Sequence, residues 1–176
     1  SRRLPASLGG WTVGVLVQAN YGMRDPLRIA GVPVGQHLRD DRVYSEPEPR
    51  SETGSIIIVV ATDAPLLPHQ LKRIAKRAGM GLARMGSYAG NGSGDLFVAF
   101  TTANTGAFAP GPLGAVQSID NDHLDPLFDA TVQATEEAIV NAMVAARDMQ
   151  GQDGRYAKAI PHAELVALMK RFGRYT

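Results

Sequence analysis

Gly54-Ser55-Ile56-Ile57-Ile58-Val59-Val60-Ala61 (residues 54–61) holds the most apolar run in this chain. Its β-branched residues and its length read as a strand buried in a sheet, far short of the ~20 residues that span a bilayer. Composition shifts abruptly at Gly54. Residues 39–53 (RDDRVYSEPEPRSET) are charged, carry prolines and offer almost no core residues. Residues 39–54 therefore read as an exposed linker that runs directly into a central strand. Buried strands normally emerge from short turns, so this junction is unusual.

Further upstream, residues 11–17 (WTVGVLV) read as a strand led in by Gly9 and Gly10, with a turn over 18–22 at Asn20 and Gly22. Residues 27–35 suggest a short hairpin, at an edge because Pro33 cannot donate to a ladder. Downstream, residues 66–85 have helical period: Leu67, Leu71, Ile74, Ala78 and Leu82 share a face, with Lys72, Arg73, Lys76 and Arg77 mostly opposite. A Gly-rich turn over 90–94 precedes a strand at 95–101, and residues 103–114 form a Gly/Pro/Asn loop. A long helix is expected at about 124–149, capped by Asp120 or Asp122. After a loop at 151–158, Pro161 starts a terminal helix to Phe172. This order of elements is that of an α/β or α+β layered domain.

The 176 residues suit one domain, or part of a larger one, with 44% hydrophobic and 20% charged residues. A net charge of +1 gives no electrostatic case for nucleic acid or anionic membrane as a partner. Cysteine is absent, which excludes disulfides, thiolate zinc sites and a Cys nucleophile together. The four histidines lack metal-ligand spacing, and Asp120-Asn121-Asp122-His123-Leu124-Asp125 lacks the glycine and terminal glutamate of a calcium loop. No metal or cofactor is expected. The basic residues from Lys72 to Arg77 read as a solvated helix face. The chain begins at Ser1 without Met, so it reads as processed or as a fragment; the cytoplasm is favoured, and a lost signal peptide is also compatible.

The chemistry concentrates at Gly54–Ser55. A serine hydroxyl can attack the carbonyl that precedes it and convert the amide to an ester. Hydrolysis of that ester frees an α-amine with a pKa of about 8, which can serve as base for the hydroxyl beside it. Gly54 tolerates the backbone geometry that self-attack requires. A Gly-Ser pair that merely opens a strand is the commoner occurrence. Ser93 and Asp95, in Asn91-Gly92-Ser93-Gly94-Asp95, would lie near Ser55 if the two strands are neighbours. Ser93 would then hydrogen-bond the amine or hydroxyl, and Asp95 would orient that network. The alternative is a simple Asn-Gly turn with a solvated Asp95. Asn20 carries an amide that can donate to an oxyanion, or it is a turn residue beside Gly22.

The stretches GSIIIVVATDAPLLPHQLKRIAKRAGMGLAR, GNGSGDLFVAFTTAN, WTVGVLVQANYG and HLDPLFDATVQATEEAIVNAM closely resemble the L-aminopeptidase/D-Ala-esterase (β-peptidyl aminopeptidase) family. The resemblance covers almost the whole chain. It implies a four-layer αββα sandwich, layered like the N-terminal-nucleophile hydrolases, and self-cleavage into α and β subunits. Residues 1–54 would be the end of the α subunit and 55–176 the β subunit. By the same resemblance, Ser55 is the nucleophile, Gly54 precedes the scissile bond, Ser93 and Asp95 support it, and Asn20 forms the oxyanion hole. The family's α subunit is far longer than 54 residues, so the rest of it is an expected partner, along with further αβ units in an oligomer. The implied activity is removal of N-terminal residues from small peptides, amides or esters. Two rivals are an acyltransferase of the ornithine acetyltransferase type, which uses Thr as nucleophile, and an unprocessed binding or assembly domain.

Overall fold

The computed structural model describes residues 1–39, 54–108, 110–154 and 156–175. Most of the expected linker, residues 40–53, lies outside the described residues. The chain divides into two compact units, each assembled from three stretches.

The first unit contains residues 1–18, 57–82 and 96–138. Its frame is a four-stranded sheet in the order β1 (Arg2–Arg3), β2 (Thr12–Asn20), β3 (Ser55–Thr62) and β4 (Leu96–Thr101). β1 is antiparallel to β2, and β3 is parallel to β4 with Ile57 opposite Leu96 and Thr62 opposite Thr101. Parallel neighbours require a crossover, which α2 (Pro68–Arg84) supplies. α3 (Asp125–Ala145) packs against α2 where Gly81 meets Thr135 and the Val132 carbonyl so closely that a methyl group would overlap them. Gly79 of α2 meets the Phe97 ring, so α2 covers the face of β4 that carries Phe97.

β3, expected as a buried strand, is buried on alternate residues. Ile56, Ile58 and Val60 are sealed from solvent, while Ile57, between the first two, is 39% exposed. Leu16, Leu96, Val98 and Phe100 are also exposed large apolar side chains. Parallel register puts Ile57 and Leu96 on one face and Ile58 and Phe97 on the other. One face of the sheet is thus packed under helix and the other is apolar yet bare.

The second unit contains residues 19–56, 83–95 and 139–176. The expected turn over 18–22 comes later, because β2 continues through Asn20 and Gly22 then takes the left-handed conformation. The expected hairpin over 27–35 is reduced to one rung. Ile29 and Val32 exchange both N–H···O bonds around Ala30 and Gly31, both at positive φ, the geometry of a two-residue primed turn. Pro33 then leads into the short α1 (Val34–His37) rather than along a sheet edge. The long helix α3 ends at Ala145, four residues before the expected Met149. There Asp148 accepts from the Ala159 N–H and the Tyr156 hydroxyl, both at 2.7 Å, and a ribbon forms instead. Its strands are β5 (Met149–Gln150) and β6 (Tyr156–Ala157). Helix α4 (His162–Arg171) starts after Pro161, as its sequence suggests.

Candidate active site

Ser55 is the first residue of β3, and Gly94 lies two residues before β4 begins. Because Ile57 stands opposite Leu96 in parallel register, stepping back two residues along each strand brings Ser55 and Gly94 side by side. The Gly94 N–H donates to the Ser55 Oγ at 2.9 Å. One residue on, the Ile56 N–H donates to Asp95 Oδ1 at 3.0 Å. All of these residues belong to the second unit. The Ser93–Asp95 segment is therefore bound to the start of β3 by a backbone donor from each side. It is not the tip of a hairpin, since β4 runs parallel to its partner.

Two polar atoms at this place are buried and have no hydrogen-bond partner among the described residues: Ser93 Oγ and Asp95 Oδ2. Buried polar groups are nearly always paired, because an orphan costs about 1–3 kcal/mol. Native structures that keep such an orphan do so for a reason: strain, a catalytic role, or a bound water or ion. The Ser93 N–H closes the preceding turn onto the Gly90 carbonyl at 2.8 Å, which holds the Ser93 backbone while its side chain stays unpaired.

On the other side of the Gly54–Ser55 bond, Gly54 packs against the Asn20 carbonyl oxygen and the Tyr21 Cα. A methyl group at Gly54 would overlap both, so glycine is required here by space. Asn20 is thus brought to the Gly54–Ser55 bond through its backbone, while its side chain is exposed. Tyr21 also lines a cavity of about 470 Å³, with Arg24, Met85, Met143, Lys158 and Ile160 among its other walls. Sequence reading missed this cavity; its walls come from distant stretches and share no motif.

Among the described residues no group of three or more His, Cys, Asp or Glu side chains is placed to hold a metal. No helix among them is long and apolar enough to cross a membrane.

The sequence model of peptidase family S58 matches residues 1–157. The chain is 49% identical to the beta-peptidyl aminopeptidase of Sphingosinicella microcystinivorans, over 93% of this chain and 44% of that protein. It is 42% identical to the corresponding enzyme of Sphingosinicella xenopeptidilytica, over 99% of this chain and 46% of that protein. Among solved structures, the L-aminopeptidase D-Ala-esterase/amidase of Ochrobactrum anthropi superposes with a TM-score of 0.83 at 47% identity. The match covers 94% of this chain and 45% of that one, which is described as a variant of the N-terminal-nucleophile hydrolase fold. A Burkholderia beta-aminopeptidase gives the same TM-score at 46% identity, over 98% of this chain and 48% of its own. The chain spans somewhat under half the length of the relatives it matches. By sequence and by fold it belongs to peptidase family S58.

Proposed function

We propose that the whole protein is a serine aminopeptidase and amidase that cleaves itself between Gly54 and Ser55. The observation that carries this reading is the setting of Ser55: its Oγ accepts the Gly94 N–H at the mouth of β3, and the residues on either side of Gly94 carry two buried, unpaired polar atoms, Ser93 Oγ and Asp95 Oδ2. On this reading residues 1–54 end the α subunit and residues 55–176 form the β subunit. Once freed, the Ser55 α-amine takes the hydroxyl proton and Oγ attacks the substrate carbonyl. The leaving amine carries that proton away, and water then hydrolyses the acyl-enzyme. Ser93 and Asp95 hold the α-amine, and the Asn20 amide receives the oxyanion.

The crowding at Gly54 bears on substrate choice. The acyl residue of a substrate must bring its carbonyl to the same Oγ, so its α-carbon takes the place Gly54 fills in the uncleaved chain. An L-side chain there overlaps the Asn20 carbonyl. This favours residues with a bare or oppositely configured α-carbon: glycine, β-amino acids and D-residues. Of the activities in the relatives' names, beta-peptidyl aminopeptidase and D-Ala-esterase agree with this preference, while L-aminopeptidase stands against it. The bare apolar face of the sheet, with Leu16, Leu96 and Phe100 exposed, is the surface that the rest of the α subunit covers to complete the αββα layers. Assembly into an oligomer of αβ units and a cytoplasmic location belong to the same reading. An ornithine-type acyltransferase is disfavoured because Ser, not Thr, stands at position 55.

Intact-mass measurement on the full-length protein is the test. A fragment beginning at Ser55 is expected, together with hydrolysis of aminoacyl p-nitroanilides. Ser55→Ala should remove both. A protein that stays in one piece and hydrolyses none of these substrates refutes the enzyme, and a processed, active Ser55→Ala variant refutes the nucleophile. Among substrates, β-alanyl and D-alanyl anilides should exceed L-leucyl in kcat/KM.

A further inference from the structure

The hydrogen bond from the Gly94 main chain reaches the reacting atom itself. Its N–H lies 2.9 Å from Ser55 Oγ. A Cβ built on Gly94 would stand 3.2 Å from that same oxygen, which among the described residues, chain neighbours aside, is the one atom within 4 Å of it. Gly94 is not among the glycines at positive φ, so any residue could adopt its backbone conformation. A methyl group here would press on Ser55 Oγ, which would have to give by a few tenths of an ångström.

We propose that Gly94 is a built-in donor to the nucleophile: its N–H holds Ser55 Oγ in place and stabilises the alkoxide, and its missing side chain keeps the approach to that oxygen open. This rests on Ser55 being the nucleophile. A hydroxyl has one proton and two acceptor lone pairs. The Gly94 N–H occupies one lone pair. The other is left to attack a carbonyl, and the proton is left to depart, with the unpaired Ser93 Oγ and Asp95 Oδ2 buried on the residues flanking Gly94. A fixed backbone dipole aimed at a developing negative oxygen needs no reorganisation when the charge forms.

The donor serves two reactions. Before cleavage the Ser55 nitrogen is an amide and cannot act as base, so the Gly94 N–H is already in place when the amine is not. Oγ bonds to the Gly54 carbonyl carbon and the carbon–nitrogen bond breaks. The nitrogen ends with the proton that left the hydroxyl, as a free amine. Water then splits the ester to the Gly54 carboxylate and the Ser55 hydroxyl. In turnover the same oxygen attacks the substrate carbonyl with the same N–H beside it.

The test replaces Gly94 by glycolic acid in the full-length protein, which exchanges the N–H for an ester oxygen and adds no bulk. Self-cleavage at Gly54–Ser55, followed by intact mass, should slow by about 100-fold, the lower end of what loss of one oxyanion-type donor costs. Its pH–rate profile should move to higher pH, because an alkoxide without the donor forms less readily. Acylation by an aminoacyl ester should slow in kcat more than it changes in KM. Gly94→Ala keeps the N–H and adds the methyl group, so it should slow both reactions without moving the pH profile, at an unchanged melting temperature. Parental rates and pH profile in the glycolate protein overturn the donor; parental rates in Gly94→Ala overturn the need for open space. If the unsubstituted protein never yields a chain starting at Ser55, this proposal and the aminopeptidase reading fall together. If it does and the Gly94 variants match it, only this proposal falls.

Discussion

The two ends of β3 are built from similar residue types and treat them in opposite ways. At its last residue, Thr62 donates through Oγ1 to the Thr12 carbonyl at 2.8 Å and accepts from the Ala64 N–H at 3.1 Å. The Thr62 carbonyl receives the Thr102 N–H at 3.0 Å, and the Thr101 hydroxyl donates to the Ala64 carbonyl at 2.6 Å. At its first residue, Ser55 receives one backbone N–H, and neighbouring Ser93 and Asp95 each keep a buried oxygen unpaired. Hydroxyls that are fully paired stitch strands together. Hydroxyls and carboxylates left unpaired in a buried place raise the energy of the fold, and a part in a reaction is one reason to keep them. On the proposed reading, the difference separates a structural end of the strand from a reactive one.

That contrast can be broken by moving one group at a time. The largest effect on chemistry is expected from Asp95→Asn in the full-length protein. The Asn oxygen still accepts from the Ile56 N–H, so melting should change little. Loss of the free carboxylate oxygen should slow self-cleavage by about 100-fold or more, the usual worth of a positioned proton-handling group. An Asp95→Asn protein that cleaves at the parental rate would make the unpaired oxygen incidental. Thr62→Val should do the reverse. It strands the Thr12 carbonyl and the Ala64 N–H, and should cost about 1–3 kcal/mol in a denaturant titration. The fraction still folded should cleave normally. A large loss of cleavage with intact folding would erase the distinction between the ends. Smallest of all, Phe100→Ser on the bare sheet face should cost the 176-residue chain about 1 kcal/mol, less than a fully buried Phe would, since Phe100 is 45% exposed there. In the full-length protein the same change should cost several times more, if the rest of the α subunit packs on that face.

Much of the frame is legible locally. The period of Ile74, Ala78 and Leu82 gives α2, the β-branched run gives β3, and Pro161 gives the start of α4. Legibility fails where a distant partner decides. Asn20 and Gly22 look like a turn, yet β2 runs on through Asn20, to which Gly54 is packed. The apolar pattern after Ala145 would extend α3, yet Asp148 is drawn off by the Ala159 N–H and the Tyr156 hydroxyl. An unbroken apolar run looks buried, although one face of β3 lies open in this chain. At the site, the residue types were legible and the bonds were not. Nothing in the string of letters says that Asp95 accepts from Ile56 or that Gly94 donates to Ser55; both follow from parallel register.

That register also decides when the site can exist. Ser55 and Gly94 are 39 residues apart in sequence, on opposite arms of the β3–α2–β4 crossover. Their bond forms only after α2 has folded back and the two strands have paired, a non-local and therefore late event in folding. A newly made chain has its Gly54–Ser55 bond long before it has the donor that addresses the serine. On the self-cleaving reading, the cut is a time stamp: it marks a chain whose crossover has closed and spares one still unfolded. The ratio of cut to uncut protein during synthesis then becomes a clock for folding, read without any added probe.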